Sequence, residues 1–487
     1  MSGGDRDSSA LLHATDRSAG WHEAAFVARA VGGRWVREAA HAARAVRIDS
    51  REVEVGDAFV ALRGERTDGH RFLMQVASAG GAFAVVEDGA ACGDLDSLPP
   101  GFGVLVVDDG AAALGAWARA HRERLRGTAV VAVAGSAGKT TTVRLIDAAL
   151  RPQRVGTHAP RSFNNHLGVA VTLLAARLED GYVVCEVGTS EVGETAALAA
   201  IVRPDVAVIT SLGREHLEGL GSMEGVAREA AAITRGMGER GTLVLPDAEP
   251  LLEGVPELRE GAWRRVRFGA TPAADVRVEA IEQSWDGVGA VIAGRRVQLP
   301  MVGAHNAHNA AAAIGVVRAL GLDETLAADG LRSAGGAPMR LERVEIGGVR
   351  VLHDAYNAHP DSVRGALETL AAIEPAPGGR RVAILGEMLE LGGSAPEEHA
   401  AIGAWIREHM ACDALITLGK LPAMGVAGCG LGGAATALEA ESRGRPSDAA
   451  CVEAGALVRP GDVVLVKASR GIGLERVVRA IGERVGG

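Results

Sequence analysis

Val130-Val131-Ala132-Val133-Ala134-Gly135-Ser136-Ala137-Gly138-Lys139-Thr140-Thr141 is the stretch that decides the fold of this 487-residue chain. Five small β-branched or aliphatic residues run without a charge into a glycine turn, and Val143-Arg144-Leu145-Ile146-Asp147 then continues as a helix. Strand, glycine turn and helix in that order are the context a phosphate-binding loop requires, because the free N–H groups at a helix start point at an anion. The spacing is the shorter G-x-x-G-K-T-T form, since Val133 stands five before Gly138. Lys139 is placed to neutralise outer phosphates and the Thr140 hydroxyl to join a Mg²⁺ shell. The bland alternative, a tight βα turn with an incidental lysine, is disfavoured by this context.

The rest of the composition strengthens that reading. Among 51 basic residues only Lys139, Lys420 and Lys467 are lysines, so a surviving lysine is a candidate for needing an ammonium specifically. The net charge of −10 leaves no nucleic-acid footprint. No uncharged apolar run approaches the ~18 residues of a membrane span. Hydrophobic residues at 47% with aromatics at only 3% imply cores built from Ala, Val, Leu and Ile. Cys92, Cys185, Cys412, Cys429 and Cys451 show no C-x-x-C spacing, which favours reduced thiols in a cytoplasmic protein over a disulfide framework or a zinc site. Met1 to about Gly20 reads as a loose tail and not a secretory signal.

Outward from the loop, Thr128–Ala134, Tyr182–Val187, Asp205–Thr210 and Thr242–Leu245 alternate with Ala-rich helical stretches, which predicts a mostly parallel sheet with helices on both faces. Asp275–Pro300, around Trp285-Asp286-Gly287 and Gly294, predicts small antiparallel hairpins. A second α/β series follows with strands at Val349–Leu352, Arg381–Leu385, Ala414–Thr417 and Val463–Val466, after a Gly-rich hinge candidate at Ser333–Pro338. A shorter α/β unit precedes Thr128. At roughly 150 residues per domain the length suggests about three domains, and we expect them at 21–127, 128–334 and 335–487. The first is a small α/β unit, the second carries the mostly parallel sheet and the third the second α/β series.

Ligands of open α/β sheets collect at the carboxyl ends of strands. Glu186 closes one strand and His216 follows another, so both are candidates for a phosphate-linked metal; His216 taken alone is as readily a surface or cap histidine. Ser162-Phe163-Asn164-Asn165-His166 alone reads as a turn.

Together, these residues resemble the Mur ligase family of ATP-dependent amide-bond-forming enzymes. The resemblance is carried by Gly135–Thr141, Asn164-Asn165, Glu186-Val187-Gly188, Gly213-x-x-His216-Leu217-Glu218 and Gly303–Ala310. It continues through Asp354-Ala355-Tyr356-Asn357-Ala358-His359-Pro360, Gly386-x-Met388-x-Glu390-Leu391-Gly392 and Lys467-Ala468-Ser469-Arg470, with Asp49-Ser50-Arg51 near the start. It runs in the family's order from about Arg47 to Val478. The Asp354 and Gly386 segments are similar to those of the family's dipeptide-adding member, and no Asp-Asn-Pro-Arg motif of the diamino-acid-adding member occurs.

The resemblance implies a small N-terminal domain for the UDP end of the substrate, a central P-loop ATPase and a Rossmann-like C-terminal domain, and transfer of D-alanyl-D-alanine to UDP-N-acetylmuramoyl-tripeptide through an acyl phosphate with ATP and Mg²⁺; a cytoplasmic monomer without membrane insertion is expected. It implies Gly135, Ser136, Ala137, Gly138, Lys139, Thr140 and Thr141 at the phosphates, Asn306 and Asn309 as further nucleotide contacts, Arg340 reaching the phosphates and Asp354 at the ribose. Thr140 and Glu186 would take one magnesium and His216 a second. Asn164, Asn165, Tyr356, Asn357, Lys467, Ser469 and Arg470 would line the closed cleft, with Ser50 and Arg51 near the uridine end. For Asn357 and Ser469 the residues alone favour satisfied turn positions.

One departure stands out. Nine positions past Gly221, where the family carries a carbamylated lysine, this chain has Ala230, and Ala232 replaces the glutamate two further on. Three readings are open: Glu229 supplies a carboxylate, although a one-residue shift turns it about 100° around the helix; phosphate, His216 and water hold the metal; or the protein is a poor ligase. Another amino-acid-adding member of the family and a nucleotide-binding protein with impaired ligation are the alternatives. Smaller departures are Ser162, His359, Glu387 and Ala468.

Overall fold

A computed structural model describes residues 20–64, 67–88, 94–160, 162–438 and 445–485. The N-terminal stretch read as a tail, up to residue 19, and Cys92 lie outside them. Among the described residues three sheets organise the fold.

The first sheet holds β1 (Arg34–Arg37), β2 (Val46–Arg47), β3 (Ala58–Val60), β4 (Phe83–Glu87) and β5 (Gly103–Val107), in the order β1-β5-β4-β3-β2. Only the β1–β5 pair is antiparallel. The second holds β6 (Ala129–Ala134), β7 (Gly156–His158), β8 (Tyr182–Glu186), β9 (Val206–Ile209), β10 (Thr242–Pro246) and β11 (Arg264–Gly269), then β12 (Val276–Ser284), β13 (Gly287–Ile292) and β14 (Arg295–Leu299). Its order is β14-β13-β12-β11-β10-β9-β6-β8-β7, parallel from β7 to β11, with β12, β13 and β14 as antiparallel hairpins. The third holds β15 (Glu342–Ile346), β16 (Val349–Asp354), β17 (Arg381–Leu385), β18 (Ala414–Leu418), β19 (Ala435–Leu438) and β20 (Val463–Lys467), in the order β15-β16-β20-β17-β18-β19 and parallel except for the β15–β16 hairpin.

By contacts the chain divides into two units. One ends at Arg126 and takes in Leu173–Leu178; the other comprises Gly127–Thr172 and Glu179–Gly487, so the second and third sheets share a unit. In the first unit, buried His22 and His121 donate from Nε2 to the carbonyls of Leu174 and Ala176, at 2.9 and 2.8 Å.

The core of the second sheet follows from its composition. Val131, Val133, Val184, Val208 and Val244 are buried with Ala307, Ala310, Ala311, Ala313, Ile314 and Val317 of the helix His305–Ala319. Alanine at so many positions lets that helix lie close to the sheet and to the helix Lys139–Leu150 that follows the phosphate loop. At Gly315 an added β-carbon would come within 2.8 Å of Val244, so the close approach needs the glycine.

The predicted strands are present with ends shifted by one or two residues, and the hairpin prediction for 275–300 corresponds to β12, β13 and β14. Between the helix Glu324–Leu331 and β15 the chain is irregular and includes Ser333–Pro338; just beyond it Met339 and Leu341 adopt positive φ of 54° and 51°. Among the described residues no helix is long and apolar enough to cross a membrane.

Candidate active site

β6 delivers the chain to a turn only glycine can make. Gly135 has φ 125° and Gly138 φ 81°, and a β-carbon on Gly138 would sit 2.6 Å from Asn309 Oδ1. The turn is clipped to the loop after β9. Ser136 N donates to Ser211 O at 2.7 Å, Ser136 Oγ accepts from Gly213 N at 3.0 Å, and Thr210 Oγ1 donates to Ala137 O at 2.6 Å. The backbone is thereby held open toward a cleft of about 1190 Å³.

At the head of the following helix, Lys139 Nζ donates to the carbonyls of Gly135 and Ser136 at 2.6 and 2.9 Å and lies 3.6 Å from Glu215 Oε2. Thr140 Oγ1 donates to Glu186 Oε2 at 2.7 Å, and Asn164 Nδ2 donates to Glu186 Oε1 at 3.1 Å. Glu186 is fully buried at the end of β8 with its carboxylate lining the cleft, so a hydroxyl and a carboxylate stand together beside the phosphate loop. That oxygen donor set fits a hard divalent cation.

His216 stands apart from this pair. It has φ 54°, with Nδ1 2.5 Å from Glu390 Oε2 and Nε2 3.6 Å from Glu215 Oε1. Among the described residues no group of three His, Cys, Asp or Glu side chains is arranged to hold a metal by itself.

The third sheet supplies the opposite wall. Lys467 ends β20 and donates to Asp354 Oδ2 at 2.6 Å and to Asn357 O at 2.9 Å, while Asp354 Oδ1 accepts from Leu341 N at 3.1 Å. The Arg340 guanidinium lies over the Tyr356 ring, 4.2 Å from its centroid, and donates to Ser162 Oγ at 3.2 Å. Asn357 Nδ2 donates to Glu215 Oε1 at 2.7 Å. Burial by itself would raise the Glu215 carboxyl, but Lys139, with His359, His216 and Arg340, holds it below the usual carboxylate range. Burial pushes the imidazoles of His305, His308 and His359 down.

Three profiles match this chain: the Mur ligase family catalytic domain over residues 43–122, the Mur ligase middle domain over 133–317, and the Mur ligase glutamate ligase domain over 339–470. The UDP-N-acetylmuramoyl-tripeptide–D-alanyl-D-alanine ligase of Bacillus subtilis is 35% identical over 444 residues, 89% of this chain and 92% of the relative. The chain belongs to the Mur ligase family.

The Escherichia coli enzyme of the same name is 31% identical, over 90% of this chain and 94% of its own. Among solved structures, MurF from Acinetobacter baumannii superposes with a TM-score of 0.80 at 28% identity, covering 95% of this chain and 99% of that one. The MurF ligase of Thermotoga maritima in complex with ADP gives 0.73 at 26% identity, covering 91% and 98%.

Within this Mur ligase, Ser136, Ala137, Gly138, Lys139, Thr141, Asn164, Asn165, Glu186, His216, Asn306, Asn309, Arg340, Asp354, Tyr356, Asn357 and Lys467 all line the one cleft. Of the residues expected there, Gly135, Thr140, Ser469 and Arg470 are not in its lining, Thr140 being bonded to Glu186 just behind it. Ser469 is buried, donating to Ala358 O and accepting from Leu389 N, so it is a satisfied turn residue. Arg470 pairs with Glu475 at 3.2 Å, away from the cleft lining. Ser50 and Arg51 belong to the first unit, on a turn where Asp49 pairs with Arg51 at 2.6 Å. Asn306 is spent locally: its Nδ2 donates to Val302 O at 2.7 Å and its Oδ1 accepts from Asn309.

The Glu229 reading is overturned. Its buried carboxylate accepts from Gly193 N at 2.9 Å and Thr195 N at 2.7 Å, capping the helix Glu194–Val202. Ala230 instead borders a cavity of about 20 Å³ with Lys139, Glu215 and His216 among its walls. Glu215, Asp361 and Arg364 also line the main cleft, and sequence reasoning assigned them no role. Adjacency to His216 was the only signal for Glu215.

Proposed function

We propose that this chain joins D-alanyl-D-alanine to UDP-N-acetylmuramoyl-tripeptide at the expense of ATP, in the cytoplasm and as a monomer, to build a peptidoglycan precursor. The observation that carries the reading is the convergence on one cleft of the phosphate loop, Glu186 with Thr140 bonded behind it, and the Arg340, Asp354 and Lys467 set. The names and coverage of the relatives support it.

Activation of a peptide carboxylate brings two anions together, so positive charge has to be supplied before they can meet. Lys139 supplies it from below and Arg340 from the facing wall. The N–H groups of the turn orient the phosphates through the helix start. Thr140 and Glu186 would hold Mg²⁺, with His216 at a second position, and the cation would offset phosphate charge. Asn164 orients the Glu186 carboxylate, and Tyr356 fixes the Arg340 guanidinium by stacking beneath it. In this reading domain 21–127 holds the uridine end with Ser50 and Arg51, and domains 128–334 and 335–487 enclose the nucleotide.

The test is phosphate release coupled to product mass. With UDP-N-acetylmuramoyl-tripeptide, ATP and Mg²⁺, release is expected to depend on D-alanyl-D-alanine and to yield the pentapeptide. Background release with the dipeptide and turnover with a different amino donor would reassign the chain within the family. Background release with every donor would leave a nucleotide-binding protein.

A further inference from the structure

An ammonium has three N–H donors. Two of those on Lys139 are spent on the Gly135 and Ser136 carbonyls, and among the described residues the anion within ion-pair reach is Glu215, 3.6 Å away and therefore paired without a hydrogen bond. A carboxylate thus stands over the one uncommitted donor, the place where a phosphate oxygen would bind. Glu215 is itself only 8% exposed, and its Oε1 accepts from Asn357 Nδ2 at 2.7 Å. The Asn357 carbonyl in turn accepts from Lys467, which pairs with Asp354, and Asp354 holds the N–H of Leu341 beside the two left-handed residues ahead of β15. One continuous path therefore links two of the three lysines of the chain.

We propose that Glu215 is a positioning residue: it competes with phosphate for Lys139 and, through Asn357, couples occupation of the phosphate loop to the Lys467–Asp354 centre of the third sheet. The proposal rests on the nucleotide reading above. It assigns Glu215 a cost and a use. Its charge opposes an incoming phosphate that lacks a cation, and its bond to Asn357 sets the register of the two walls.

The experiment is titration calorimetry of the full-length protein with ADP in EDTA and in Mg²⁺, beside steady-state ligation. Glu215→Gln keeps an acceptor for Asn357 and removes only the charge. It is expected to tighten cation-free ADP binding about tenfold, with a much smaller change in Mg²⁺. Asn357→Ala is expected to lower kcat about tenfold, and Glu215→Ala with Asn357→Ala is expected to lose no more kcat than Glu215→Ala alone. Circular dichroism confirms that each variant is folded. Glu215→Gln binding cation-free ADP as the wild type does, or independent losses in the double variant, would overturn the proposal. Failure of the wild-type protein to bind ADP in either buffer would overturn the nucleotide reading and the proposal with it.

Discussion

Lys139 shows how much a single side chain carries here. Its ammonium closes the turn that precedes it as well as facing the cleft, so removal has a structural and a chemical consequence of different size. The two loop carbonyls remain open to water in Lys139→Ala, and the fold should survive. Ligation should fall about 10³-fold or more, because the loop Gly135–Thr141 then carries no cationic side chain. Unchanged circular dichroism with turnover near wild type would remove the phosphate-loop assignment. Lys139 was legible from sequence because its context is local: strand, turn and helix lie within one short segment. The Asn357–Glu215 contact was not, because it joins residues 142 positions apart, on loops of two different sheets. Ser469 illustrates the opposite error, in which family order suggested a cleft contact although the hydroxyl is consumed by two backbone groups.

At the scale of elements, burial on both faces decided what could be read. The runs that became β6 and β9 are uninterrupted Val, Ile and Ala, and β8, β17 and β20 carry a charge only at one end of an apolar run, as parallel strands covered by helices must be. β11 and β15 escaped because Arg264-Arg265-Val266-Arg267 and Glu342-Arg343-Val344-Glu345 carry charges in the strand itself. Glu229 belongs to this scale, since it caps a neighbouring helix from inside the protein. Glu229→Ala leaves Gly193 and Thr195 N–H groups without their acceptor and should cost roughly 2–3 kcal/mol, read as a lower urea midpoint at constant m-value. A metal-ligand role would instead show as a loss of Mg²⁺ dependence at unchanged stability.

The histidine pair of the first unit gives a pH prediction. Burial lowers His22 to about 3 and His121 to about 4, against 6.5 in the unfolded chain. The unfolded state therefore takes up protons first, and the stability these groups preserve is complete above pH 6.5 and lost progressively as pH falls toward 4. Each histidine contributes up to about 1.4 kcal/mol per pH unit in that window. His121→Gln keeps a donor for the Ala176 carbonyl and should flatten the slope of unfolding free energy between pH 6.5 and 4.5.

For the whole molecule, the scarcity of lysine becomes a matter of accessibility. Lys467 is 3% exposed, the Lys139 side chain 13%, and Lys420 lies at the surface at the start of the helix Lys420–Gly428. Acylating reagents at neutral pH should therefore modify Lys420 among the lysines first, and saturating ADP with Mg²⁺ should slow Lys139 modification without altering the rate at Lys420. Peptide mass mapping distinguishes the three sites, and equal protection of Lys420 would contradict binding at the phosphate loop. A chain that has traded nearly every ammonium for guanidinium thus presents one chemically addressable side-chain amine on its exterior, a built-in attachment point for a fluorophore or a solid support that leaves the cleft untouched.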